Sequence, residues 1–357
     1  MIKKLAFTIA VLVLSIFPHI TPTRALAIIA VEADGKTYYF DKALYEAFGE
    51  SFFDVDEIVS YIEKQTYKAP KNARFYTEDE RIKIADAVGG KRVNKELLQK
   101  DLYAVITAGG GCVKAEFIDV KPEYTREDLI GADCLRAEFS TKLSGSAERL
   151  ANVKLATAIV GCVTVYPEEI FSFNDVVGKR TEENGYKSAK VIVGGKFVDG
   201  IGGGVCQVST TLYNASLLSD LKIVEHHRHT LAVSYVEKSF DAMVSYGYAD
   251  LKIKNETGAP VFIRGRVTGN KLTFTVYGCR QNKKIERQSV IVKTYEPTIT
   301  VEKTDELPFG QSKVEIAPKK GYESLGYLII TENGEKSRVL IREDEYKKVD
   351  GVIKTGK

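Results

Sequence analysis

The cysteines set the first constraint on the fold. There are five, Cys112, Cys134, Cys162, Cys206 and Cys279, an odd number with no paired spacing. The chain opens MIKKLAFTIAVLVLSIFPHITPTRALA, with Lys3 and Lys4 before an apolar run from Leu5 to Phe17 and a small-residue site at Ala25-Leu26-Ala27, so residues 1–27 read as a secretory signal. An exported scaffold held by disulfides carries an even, dense set of cysteines. At least one thiol here is therefore free or the protein lives where disulfides are not used, and 44% hydrophobic residues over about 330 mature positions are enough to build a sizeable core across two or three domains.

The apolar run is shorter than the roughly 20 residues that cross a bilayer as a helix. A cleaved leader gives a secreted protein, peripheral to the membrane; an uncleaved one would leave the protein anchored. The leader holds three bases and no acid, and removing them from the 51 in the chain leaves 48 against 48 acids. The mature chain is formally neutral and has no basic stripe interleaved with aromatics, which argues against nucleic acid as a partner.

Local patterns predict an α+β fold. In the N-terminal region, 28–137, Asp54 to Lys64 has helical spacing, Arg81 to Ala87 alternates like a strand, and Asn94 can cap a helix carrying Leu97, Leu98, Leu102 and Val105. In 138–280, Ser146 can cap a helix with Leu150, Val153, Thr157 and Val160 on one face. Lys190 to Val198 reads as a hairpin turning at Gly194-Gly195, and Val208, Leu212, Ala215 and Leu218 recur at helical spacing. Leu272, Phe274 and Val276 alternate behind a Gly269-Asn270 turn, so this region is expected to form a mostly antiparallel sheet with a helix carrying Cys206 at its N-terminus. The tail, 281–357, reads as β-rich, without histidine or cysteine, and suits binding or spacing.

The stretch GGGVCQVSTTLYNAS at 202–216 carries the strongest chemical signal. A cysteine at a helix N-terminus meets unpaired N–H groups and the positive end of the helix dipole, which favour thiolate. Those N–H groups, on Cys206 and Gln207, could hold an oxyanion, and Gly203 and Gly204 remove side chains from the approach to sulfur. The other four cysteines, in apolar or strand-like surroundings, are assigned to packing or to no role. A thiolate nucleophile needs a proton-handling partner. Every histidine of the mature chain, His226, His227 and His229, falls within four residues, and a strand through this segment would put His227 and His229 on one face. Asp241 or Glu225 could orient the ring. Zinc held by Cys206, His227 and His229 is an alternative, but HHRH lacks the helical His-x-x-x-His spacing, so no metal or other cofactor is expected. The glycines are not followed by Gly-Lys-Ser/Thr, which excludes a phosphate cradle.

FSFNDVVGKRT at 171–181, GYKSAKVIVGGKFVDGIGGGVCQVSTTLYNA at 185–215 and VSYVEKSFDAMVSYGYADLKIKN at 233–255 together resemble the VanW domain family. The stretch from about 70 to 128 resembles the peptidoglycan-binding domain that often precedes it, and the tail resembles the small glycine-containing β module that often follows. The resemblance implies an exported cell-wall L,D-transpeptidase acting on peptidoglycan stem peptides, with carboxypeptidase action if water replaces the acceptor. Carried over, its catalytic residues are Cys206, His229 and Asp241, with His227 the alternative base and Gly203, Gly204, Gln207, Ser209 and Thr210 around the oxyanion and substrate. His226 stands where the family has arginine and Thr230 where it has serine.

Overall fold

The computed structural model describes residues 28–41, 54–193 and 196–357. The leader and the Gly194-Gly195 turn lie outside the described residues. In chain order, the hairpin β1 (Ile28–Ala33) and β2 (Lys36–Asp41) is followed by α1 (Val55–Thr66), the hairpin β3 (Arg74–Glu78) and β4 (Arg81–Ala85), β5 (Gly90–Val93), α2 (Lys95–Thr107), β6 (Gly111–Lys114) and β7 (Phe117–Val120). Two compact units result: 1–73 with 86–126, and 74–85 with 127–357.

In the first unit β1 pairs antiparallel with β2 and parallel with β6, while β5 pairs with β7. Asp54 and Asn94 cap α1 and α2 through side-chain oxygens that accept first-turn N–H groups, each such cap typically stabilising by about 1 kcal/mol. Their apolar faces close a core of Ile58, Ile62, Leu98 and Leu102 with Val31 and Phe40. The β3–β4 hairpin, expected with this region, belongs to the second unit: Phe75 lies 5.6 Å from Phe262, ring to ring.

The second unit continues through α3 (Arg126–Leu129), β8 (Cys134–Lys142), α4 (Ala147–Val160), β9 (Cys162–Val165), β10 (Ile170–Ser172), α5 (Phe173–Val177), the hairpin β11 (Ser188–Val193) and β12 (Lys196–Ile201), α6 (Val205–Leu218) and β13 (Lys222–Glu225). Then come β14 (Lys252–Lys254), β15 (Val261–Thr268) and β16 (Lys271–Gly278). An antiparallel sheet ordered β8-β16-β15-β9 carries α4 and α6, and a smaller sheet runs β10-β14-β13. The β8 strand spans the boundary expected at 137/138.

α6 is buried almost all round, from Val205 to Leu217 apart from Cys206. Its polar residues therefore need internal partners. Thr211 bonds the Gln207 carbonyl, Ser216 that of Leu212, and Asn214 those of Thr210 and Phe240. This full burial, not helix propensity, holds a β-branched, hydroxyl-rich segment in a helix.

The C-terminal region is all strand: β17 (Lys283–Tyr295), β18 (Ile299–Phe309), β19 (Ser312–Ile316), β20 (Gly321–Glu332), β21 (Glu335–Tyr346) and β22 (Gly351–Gly356). One sheet runs β17-β20-β21, the other β18-β22-β19. Leu328 of β20 and Ile341 of β21 pack against the core around α6. The tail is thus built into the second unit, not strung from it as a spacer.

Candidate active site

Three elements converge on the thiol. Gly204, at φ +104°, opens α6 with no side-chain cap, and Cys206 follows in the first turn, half-buried. Among the described residues the Cys206 N–H has no backbone acceptor. Gln207 N–H is turned 3.0 Å from the Gly204 carbonyl, so only one of the two expected oxyanion donors is open. The Cys206 sulfur lies 3.4 Å from the Val244 carbonyl.

The strand expected through the histidines ends at Glu225, and 226–235 is irregular. Alternation therefore does not apply, and the three rings part. His226 stacks on Tyr213 with ring centroids 5.6 Å apart, and burial, then the Arg342 charge, push its pKa down to about 4. His227 pairs with Glu225 at 3.0 Å and does not join Cys206. The set Cys206, His227 and His229 of the zinc alternative is therefore not brought together, and no cluster of three metal-ligating side chains forms among the described residues.

His229 is buried and meets Cys206. Asp241 Oδ2 accepts both the His229 backbone N–H and Nδ1, each at 2.7 Å, so Nε2 is the nitrogen left for the thiol. Burial opposes charge on the imidazole, but hydrogen bonds to Asp241 and Cys206 overcome it and raise its pKa to about 9. Burial also pushes the Cys206 thiol up; the His229 hydrogen bond and charge, with the Arg180 charge, reverse this and leave it below its ordinary value. Asp241 is held down at about 2 by His229 and Arg342 against the cost of burial. Each group thus favours the charged form of the other.

Other expected site residues serve the frame. A Cβ at Gly203 would stand 2.8 Å from both the Ala189 Cβ and the Lys190 carbonyl, and one at Gly204 2.9 Å from Val153. The space beside these glycines is filled by the protein itself, not kept for substrate. Gln207 is buried, its amide accepting from Arg149 at 2.7 Å and donating to Thr141 and Lys142 at 2.9 Å. Ser209 donates to the Ala242 carbonyl at 2.7 Å, and Thr210 accepts the Ala242 N–H at 3.0 Å, clamping the chain beside Asp241. Cys112, Cys134, Cys162 and Cys279 are exposed, not packed.

Two residues escaped the sequence reading. The Tyr346 hydroxyl donates to Asp241 Oδ1 at 2.5 Å, and the Arg342 guanidinium donates to the Asp241 carbonyl. Both alternate with Asp344 on one face of β21, but that face is polar and its period-two signal reads as a solvent face.

The chain belongs to the VanW family, whose model, described as VanW like protein, matches 148–277 and so spans the cysteine at the open helix start, the imidazole and the oriented carboxylate. A peptidoglycan binding domain model matches 54–113 and a G5 domain model 286–357. The chain is 32% identical over 223 residues to "Uncharacterized protein YoaR" of Bacillus subtilis, covering 62% of this chain and 73% of that protein. It is 29% identical over 179 residues to the vancomycin B-type resistance protein VanW of Enterococcus faecalis, covering 48% of this chain and 64% of that one. The structure of the IgA1 protease G5 domain aligns with 22% of this chain and 95% of its own length, at 14% identity and a TM-score of 0.16. The three domain families together indicate a cell-wall-associated protein. Among the described residues no helix is long and apolar enough to cross a membrane.

Proposed function

We infer that the protein is an exported cysteine L,D-transpeptidase of the cell wall. The observation that carries this reading is the line Cys206, His229, Asp241 at an uncapped helix start. The Cys206 thiolate attacks the carbonyl of the diamino acid in a donor tetrapeptide stem, forming a C–S bond. The resulting oxyanion faces the open Cys206 N–H and the positive end of α6. The His229 imidazolium gives its proton to the nitrogen of the terminal D-alanine, which leaves as the C–N bond breaks. An acceptor amine then attacks the thioester, His229 takes its proton, and the released thiolate closes the cycle with a 3-3 cross-link. Water in place of the amine would give carboxypeptidase action at the same atoms.

The family match at 54–113 supports peptidoglycan as the partner. Intact mass of the mature protein after incubation with a tetrapeptide muropeptide tests the reading. An acyl adduct on wild type and none on Cys206→Ala is the expected result. No adduct on either, with sacculus binding intact in both, would replace it with a non-catalytic wall-binding protein.

A further inference from the structure

The C-terminal module meets the carboxylate that orients His229. Asp241 is 1% exposed, and its two oxygens divide their partners by origin. Oδ2 takes the backbone and ring N–H groups of His229, while Oδ1 takes the Tyr346 hydroxyl at 2.5 Å and faces Arg342 Nη2 at 3.5 Å. Of the three hydrogen bonds this carboxylate accepts, two come from His229 and one from Tyr346 of β21.

The backbone before Asp241 depends on the same strands. Ser239 is fully buried with φ +64°, the left-handed region that a non-glycine residue rarely adopts. Its N–H donates to the Tyr346 oxygen at 2.8 Å, and its hydroxyl meets the Ser324 carbonyl and hydroxyl at 3.1 and 2.8 Å. Close approach of β20 is needed for this: a Cβ at Gly326 would come within 3.0 Å of the Ser239 Cβ and carbonyl oxygen. Arg287 of β17 bonds Asn214 and Glu237 and lies over the Phe240 ring, 4.6 Å from its centroid. The Lys347 N–H, just past β21, donates to the Thr230 carbonyl at 2.9 Å, next to His229.

We propose that the module at 286–357 is part of the reactive centre's frame, with Tyr346 and Arg342 acting as positioning residues that aim Asp241 at His229 and so keep Cys206 in its reactive form. One hydroxyl links the strained Ser239 backbone to the carboxylate two residues on. The Arg342 charge is balanced by Asp344 at 2.8 Å, so the arginine can hold the Asp241 main chain without leaving an unpaired buried cation. Other ionisable groups facing this cluster are Tyr213, beneath the Arg342 guanidinium, His226, stacked on Tyr213, and, around Cys206, Tyr235, Arg180 and Arg149. The inference rests on the transpeptidase reading only for the purpose of the site; the linkage itself concerns the ionisation of the free thiol.

The test is the pH profile of Cys206 alkylation by iodoacetamide, read by peptide mass so that the exposed cysteines do not contribute, with folding followed by circular dichroism. In Tyr346→Phe the carboxylate loses its orientation, the imidazolium loses its partner, and the alkylation midpoint rises by about one pH unit, about tenfold less thiolate near neutrality. Gly326→Ala, whose added Cβ would meet the Ser239 Cβ and carbonyl oxygen at 3.0 Å and the Arg342 Cβ at 3.6 Å, shifts the midpoint in the same direction by pushing β20 off Ser239. A folded variant of either kind with an unchanged or lowered midpoint overturns the proposal, and if one variant does not fold the other decides. Because no substrate is used, failure to detect transpeptidation leaves this result standing. Conversely, a muropeptide adduct together with an unmoved midpoint sinks this inference alone.

Discussion

Two helix starts in the second unit solve the same problem in opposite ways. At α4 the Ser146 hydroxyl accepts the Arg149 N–H at 3.3 Å, and Glu148 adds an acidic group in the first turn. At α6 Gly204 offers no side chain, the first turn holds no acid, and the thiol stands where a capping anion would. The first helix spends its dipole on its own stability; the second leaves it for the ionisation of Cys206. A capped start is therefore a structural device, and an uncapped start beside a buried imidazole is a chemical one.

The comparison can be broken at four points. Replacing His229 with alanine removes the opposite charge from the thiol while burial still opposes ionisation, so Cys206 alkylation at pH 6 to 7 falls by about 100-fold, measured by site-resolved mass. Gly204→Ala forces a Cβ into a left-handed backbone and against Val153, and denaturant unfolding should register a loss of about 3 kcal/mol. Asp241→Asn removes the group that raises His229. Its imidazole pKa falls from about 9 toward 6.5, so the protonated partner is lost at lower pH and the thiolate at neutrality decreases by about tenfold. Ser146→Ala sharpens the contrast from the other side: about 1 kcal/mol of stability goes, and the alkylation profile of Cys206 does not move.

Sign matters for the pH behaviour of the native site. The thiol titrates below its ordinary value and the imidazole above its own, so alkylation is expected to persist to lower pH than for an ordinary cysteine. Above about 9 the imidazolium deprotonates, and the positive partner of the thiolate is lost.

Much of the site was legible locally. The helix start at Cys206 and the Ser146, Asn94 and Asp54 caps each depend on residues a few positions apart, where spacing and side-chain type decide the hydrogen bonds. The histidine segment misled because Ile223 and Val224 carry a strand signal that stops at Glu225, beyond which the chain is bonded to the segment around Asp241, with Met243 N–H on the His227 carbonyl at 2.7 Å. Gln207, Ser209 and Thr210 looked like oxyanion or substrate contacts because they are polar and follow Cys206 closely in the chain. Their burial inside the unit turned them into internal clamps.

By itself the sequence determined the α+β class, a cysteine at a helix N-terminus, and a small set of partners for it, because these follow from periodicity and capping within about a turn or a strand. Which histidine reaches sulfur, and that Tyr346 and Arg342 hold Asp241 from about a hundred residues away, only the tertiary structure decided. Those contacts are made by polar residues on a buried strand face, and burial is a property of what packs against a residue, not of the residue's own neighbours in the chain.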